Sequence, residues 1–157
     1  MDIFNPQICL SKYLKNSWAT NIETAHAPDK IPVELIGGVP RLRLEYNEGS
    51  NQDWFASAIP LSSDWSGVDI SNFEHLTFNI YSEHAIGGLI RLEDEDQVES
   101  ADFEIEKSMA PEKDVSVRVR VQALLEGADN FDKQKCRLLK IVGYKGAAFY
   151  LSEICIE

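Results

Sequence analysis

The densest run of chemically capable side chains is Glu93, Asp94, Glu95 and Asp96. With Glu99 and Asp102 it puts six carboxylates within ten residues. Hard oxygen ligands in that number suit Ca²⁺ if a bent loop aims three of them at one point. The run lacks EF-hand spacing and has no glycine for the tight turn, so a plain acidic hairpin turn is the favoured reading. Two carboxylates held roughly 5–10 Å apart across a cleft can also hydrolyse glycosidic bonds. In a chain with 26 acidic residues such a pair arises by chance, and its presence argues nothing. His26, His75 and His84 form no HExxH, and no serine stands in GxSxG. GGLIR and VGYKGAA open no helix and so are not phosphate loops. Cys9, Cys136 and Cys155 lack CxxC spacing, which points to neither a zinc knuckle nor a closed disulfide framework, and their odd number leaves at least one thiol free. The expectation is a protein that is not an enzyme.

Recognition suits the remaining polar and aromatic residues better. A flat ring can take the C–H side of a pyranose while a few side chains satisfy its hydroxyls, and Trp18, Trp54, Trp65, Tyr46, Tyr81 and Tyr144 are the pool. Trp65 stands in a polar turn among Ser63, Asp64, Ser66 and Gly67, and Trp54 begins a strand beside Asp53. For both, the alternative is packing over the core, where most tryptophans lie. Tyr81 falls on a polar strand face with Asn79, whereas Tyr46 shares the parity of Leu42 and Leu44 and is assigned to the core. Asn79, Arg91, Glu93, Arg118 and Arg120 would form one hydrogen-bonding floor for vicinal hydroxyls or an acidic sugar, provided that their strands share a sheet. The competing reading is a solvated face of cross-strand ion pairs, each contributing little. The candidate ligand-binding set is therefore Trp54, Trp65, Asn79, Tyr81, Arg91, Glu93, Arg118 and Arg120.

The elements that must position these groups are strands. From Ser62 to Glu83 a Ser/Asp/Gly-rich turn runs into HLTFNIY, in which Leu76, Phe78 and Ile80 alternate with His75, Thr77, Asn79 and Tyr81. Similar runs occur at 32–36, 41–46, 54–61, 87–93, 101–106, 114–122, 137–144 and 148–156, each bounded by turn residues. The first two read as a hairpin about GGVP. Pro60 removes a ladder donor, so its strand is ending or lies at an edge. In DVSVRVRVQ four valines face one way, against Ser116, Arg118, Arg120 and Gln122. ALLEGADNFDKQK is a helical turn or long loop, and the last two runs close the sheet. Residues 1–30 form a lead-in that packs on the sandwich, with Ile8–Trp18 a candidate short helix, and residues 31–157 form a single domain. The fold class is all-β: an antiparallel two-sheet sandwich or jelly roll.

A chain of 157 residues buries roughly 70% of its unfolded surface and builds one core. No apolar run approaches the ~20 residues of a membrane span, so a soluble protein is expected. The net charge of −11 repels phosphate backbones and anionic membranes, which argues against nucleic acid and membrane partners. The segment MDIFNPQICL has no basic region before its apolar residues, so two contexts stay open: a cytoplasmic protein, or a module cut from a longer secreted one.

DWSGVDISNFEHLTFNIYSE, a strand ending in LEDED, and the terminal RLLKIVGYKGAAFYLSEICIE together resemble the β-sandwich carbohydrate-binding modules of the galactose-binding-like type. In that family a "dws.yd" turn precedes "L.F.iys", and the last strand reads "fylDdI.l". The resemblance covers about residues 40–157. It implies non-catalytic binding of a poly- or oligosaccharide through an aromatic and polar sheet face or a loop-end site. The same sandwich serves protein-binding domains such as the complex I intermediate-associated family, so a protein-interaction or accessory role is the alternative. Many such modules hold a structural calcium through an acidic residue of the last strand. This chain has Ser152 and then Glu153 there, and a hydroxyl is a poor ligand for a hard cation, so no cofactor is expected and calcium is the alternative.

Overall fold

The computed structural model describes residues 7–20, 33–49, 51–81, 87–105 and 115–157. Eleven strands among them make two antiparallel sheets. The first sheet runs β3 (Val33–Ile36), β4 (Val39–Glu45), β11 (Ala148–Ile156), β6 (His75–Tyr81), β9 (Val115–Arg120), and β1 (Ile8–Cys9) pairs with the far end of β11. The second runs β2 (Trp18–Thr20), β5 (Trp54–Pro60), β10 (Cys136–Tyr144), β7 (Gly88–Asp94), β8 (Phe103–Ile105). This is the expected all-β sandwich.

Alternation places the core between the layers. Leu42, Leu44, Leu76, Phe78, Ile80, Phe149 and Leu151 from the first sheet meet Phe55, Ile59, Ile90, Leu92, Leu139 and Ile141 from the second, all of them buried. Each such side chain contributes roughly 1.5–3 kcal/mol on leaving water. Phe55 packs on Phe149 with ring centroids 6.1 Å apart and on Tyr46 at 6.5 Å. Tyr46 is the core residue its parity predicted, its hydroxyl donating to the Gln52 carbonyl. Gly143 faces the same ring, and a Cβ there would collide with Phe55.

Several local expectations are met and others revised. The β3–β4 hairpin turns on Gly37 and Gly38, both at positive φ (60° and 81°), which is the two-residue turn whose twist matches the flanking strands. Pro60 is the last residue of β5, beyond the three residues that pair with β2, so its missing donor removes no bond on that side. The lead-in gives a strand to each sheet, and Leu10–Asn16 is a 3₁₀ helix that buries Leu10 and Leu14. The run at 114–122 stops as a strand at Arg120: Val121 opens a short helix, α1 (Val121–Leu125), and buries from there. The final two runs do not lie side by side, because β10 and β11 are the central strands of opposite sheets. His26, His84 and the ends of the runs at 106 and 114 lie outside the described residues.

The acidic run is a hairpin turn built on Asp94. Its side chain is buried, and Oδ1 accepts from the backbone N–H of Asp96 (2.8 Å) and Val98 (3.0 Å) while Oδ2 accepts from Asp132 N–H (2.9 Å). Burial alone would raise this carboxyl. The three N–H donors and the Arg137 charge outweigh it and hold the group below the ordinary carboxylate value. Glu95 meanwhile accepts from Gly67 N–H (2.5 Å), tying the turn to the loop after β5.

Asp94→Ala is expected to destabilise the fold by roughly 2–4 kcal/mol in urea denaturation, because it orphans buried donors. The folded-state value is depressed, so on acidification the unfolded chain takes its proton first. The Asp94 contribution is complete above about pH 4 and is lost as pH falls through the folded value, so the stability of Asp94→Asn should fall less steeply with acid than that of the natural chain. Gly143→Ala should cost roughly 1–3 kcal/mol by overpacking against Phe55.

Candidate functional site

The candidate set, and with it the expected floor of Asn79, Arg91, Glu93, Arg118 and Arg120, divides between the two outer faces of the sandwich. Asn79, Tyr81, Arg118 and Arg120 lie on β6 and β9 of the first sheet, and Trp54, Arg91 and Glu93 lie on β5 and β7 of the second. Their strands do not share a sheet, so the single patch does not form. Trp65 belongs to neither face. It sits half-buried in the loop after β5 at φ 64°, where Asp64 Oδ1 accepts from Ser66 Oγ (2.6 Å), Ser66 N–H (3.1 Å) and Ser62 Oγ (3.0 Å). Those bonds, led by the Ser66 hydroxyl, bring the Asp64 carboxyl down to about 2.

On the first sheet the polar outer face is occupied with itself. Asn79 donates to Glu153 (2.8 Å) and accepts from Ser116 (2.9 Å), a geometry available because Glu153 sits at the β11 register shift with φ 50°. Arg43 forks between Glu34 (3.2 Å) and Glu45 (2.9 Å) and lies 5.7 Å above the Tyr150 ring, which packs on Tyr81 at 6.1 Å. Arg118 reaches His75 Nδ1 (3.2 Å) and Glu157 (3.9 Å). Arg120 lies at the end of the sheet, where it lines a cleft of about 440 Å³ with His75, Gln122 and Lys133.

The outer face of the second sheet differs, because it leaves aromatic rings uncovered. Trp18 is 44% exposed, Trp54 40% and Tyr144 42%, on the adjacent strands β2, β5 and β10. Trp54 is directly opposite Tyr144, and Trp18 is opposite Ala58. Ala58 is four positions along β5 from Trp54, so the backbone positions of the two tryptophans are separated by roughly 13 Å along the strand. Ala56, between their levels, and Ala58, opposite Trp18, lie on the same face and are covered. The backbone positions of the three rings on this face, hereafter the ridge, thus span more than one sugar unit.

Charged groups flank the ridge. Arg91 pairs with Glu99 (2.5 Å) and Asp102 (2.9 Å), and Lys140, directly opposite Arg91, reaches Glu99 at 3.9 Å. The Tyr144 hydroxyl donates to both oxygens of Glu104 (3.1 and 3.3 Å). Gly87 leaves room beside the ring, since a Cβ there would lie 3.2 Å from Tyr144 Cδ2. Burial first, then the hydrogen bond and charge of Glu104, push the Tyr144 phenol above its ordinary value near 10.

Trp18 and Tyr144 belonged to the aromatic pool but not to the candidate ligand-binding set, and Lys140 and Glu104 belonged to neither. Trp18 lies in the irregular lead-in, where no alternation assigns a face, whereas Tyr144 shares the parity of Lys140 and Val142 and was legible in principle. As for calcium, Ser152 is buried and Glu153 turns to Asn79. Among the described residues no three His, Cys, Asp or Glu side chains converge on one point. In the acidic run, Asp94, Glu95, Glu99 and Asp102 are bonded to protein groups.

No protein-family model and no curated protein matches the chain. Solved structures do match in fold. A family 30 carbohydrate-binding module superposes with a TM-score of 0.72 at 21% identity, covering 90% of each chain. The family 30 module of the cellulosomal cellulase Cel9D-Cel44B of Clostridium thermocellum gives 0.70 at 20% identity, over 98% of this chain and 93% of that one. The family 11 module of the cellulosomal cellulase Lic26A-Cel5E, from the same organism, gives 0.59 at 9%, over 89% and 81%. The fold is the β-sandwich of these carbohydrate-binding modules.

Removing the negative acceptor should ease ionisation of the phenol. Glu104→Gln is expected to lower the Tyr144 titration toward that of a free phenol, read from tyrosinate absorbance as the component missing in Tyr144→Phe.

Proposed function

We propose that the chain is a non-catalytic carbohydrate-binding module that holds a poly- or oligosaccharide across the outer face of the second sheet. One observation carries this reading: Trp18, Trp54 and Tyr144, three large aromatic side chains on adjacent strands, are each about 40% or more exposed on one face. Exposed rings in a row offer stacking surfaces along a sugar chain, and their apolar area gains free energy only when something covers it. Arg91 and Lys140, with Glu99, Asp102 and Glu104, supply directional donors and acceptors for hydroxyls beside the rings. These carboxylates already serve Arg91 and Tyr144, which suits positioning and not acid–base chemistry. The kinship in fold with carbohydrate-binding modules supports the reading, and no cofactor takes part in it.

A protein-interaction role is the second reading. It is favoured by the apolar end of β3, where Leu35 is 71% and Ile36 39% exposed.

Affinity electrophoresis in gels containing neutral or acidic polysaccharides decides between the two. Retardation by at least one neutral polysaccharide is expected. Trp18→Ala and Trp54→Ala should each weaken it about tenfold or more, in line with aromatic hot spots. Tyr81→Ala, on the opposite face, should leave it unchanged. Uniform absence of retardation removes the carbohydrate reading. Loss in Tyr81→Ala with none in the tryptophan variants moves the site to the first sheet.

A further inference from the structure

We propose that Cys9 and Cys155 form an oxidisable dithiol site whose disulfide fastens the first strand to the last. The two residues are directly opposite each other in the antiparallel β1–β11 pair, beside Ile8 opposite Ile156. Opposed residues in such a pair have Cα atoms about 4.5 or 5.5 Å apart, and both separations lie in the range a disulfide bridges. The side chains already face each other, with the Cys155 thiol donating to Cys9 Sγ at 2.8 Å. Closing the bond therefore needs no rearrangement of the sheet. Cys136 is no competitor: it is fully buried in the core and paired in register with Asp94 on β7. The odd cysteine of the sequence is thereby accounted for.

The chemistry balances with a low-molecular-weight disulfide, such as oxidised glutathione, as the oxidant. Cys9 Sγ, which accepts the hydrogen bond, attacks one glutathione sulfur; the first glutathione leaves as its thiol and Cys9 holds a mixed disulfide. Cys155 then gives up its proton and attacks the Cys9 sulfur, and the second glutathione leaves. Two electrons and two protons pass from the pair to the oxidant. Burial first, then the contact with Cys9, push the Cys155 thiol up to about 12. Each attack needs a thiolate, so the exchange runs faster in mild base than at neutral pH.

The cross-link matters because β1 is two residues long and, among the described residues, pairs with β11. It leads through the 3₁₀ helix Leu10–Asn16, with Leu10 and Leu14 in the core, to Trp18. A bond joining positions 146 residues apart restricts nearly the whole unfolded chain.

The test is to equilibrate the full chain with oxidised glutathione in mild base, alkylate, digest and map by mass spectrometry. The expected product joins the Cys9 and Cys155 peptides with loss of two hydrogens, and Cys136 is alkylated only after denaturation. The oxidised protein should melt about 5–10 °C above the reduced one. Cys9→Ala should show no such difference. A persistent glutathione adduct on Cys9 or Cys155 without the cross-link overturns the proposal, and so does a cross-linked protein that melts with the reduced form. Neither readout involves a ligand, so the result is independent of what the ridge binds.

Discussion

The structure depends on the packing of two consecutive strands, β10 and β11, across the core. Each is the middle strand of its sheet, and a three-residue turn carries the chain from one layer to the other. On β10, Leu139 and Ile141 face inward and Gly143 leaves a space that the Phe55 ring fills; on β11, Phe149 meets that ring from the opposite side. β4 and β6 pair outward from β11, and β5 and β7 from β10. The register of this central contact therefore sets which parity of every other strand is buried, since a slip by one residue would turn each strand over.

The same alternation produces two outer faces of different character. On the first sheet, neighbouring strands bring acids and amides beside bases, and Arg43, Asn79 and Arg118 find partners within the face. Such exposed pairs are individually weak, but they leave few groups seeking a ligand. On the second sheet, strand order brings β2, β5 and β10 together, and with them Trp18, Trp54 and Tyr144. Tyr144 is tied to Glu104 through its hydroxyl, while all three rings stay exposed. Their charged neighbours are held to one side by Arg91 and its two carboxylates.

The acidic run illustrates how carboxylates are used when they fold a turn. Asp94 does the work that capping backbone would otherwise leave to water, Glu95 grips the loop after β5, and Glu99 and Asp102 orient Arg91. Negative charge in this chain is thus partly structural. Its concentration beside Arg91 and Tyr144 also repels anions from that face.

Local chemistry made much of this legible in advance. Period-two alternation identified most of the strands and the inward set Leu42, Leu76, Phe78 and Ile80, because the direction of a strand side chain follows from backbone pleat alone. Gly37-Gly38 marked its hairpin for the same local reason. The grouping of candidate residues was not legible: Asn79 and Arg91 are both polar, outward-facing and close in sequence, yet they lie on opposite sides of the molecule. Trp18 escaped because a three-residue strand has too short a pattern to assign a face. What the sequence determined by itself is which side of each strand is wet. Which wet sides share a surface was decided only by strand order in the tertiary structure, because pairing joins residues distant in the chain and no local preference encodes it.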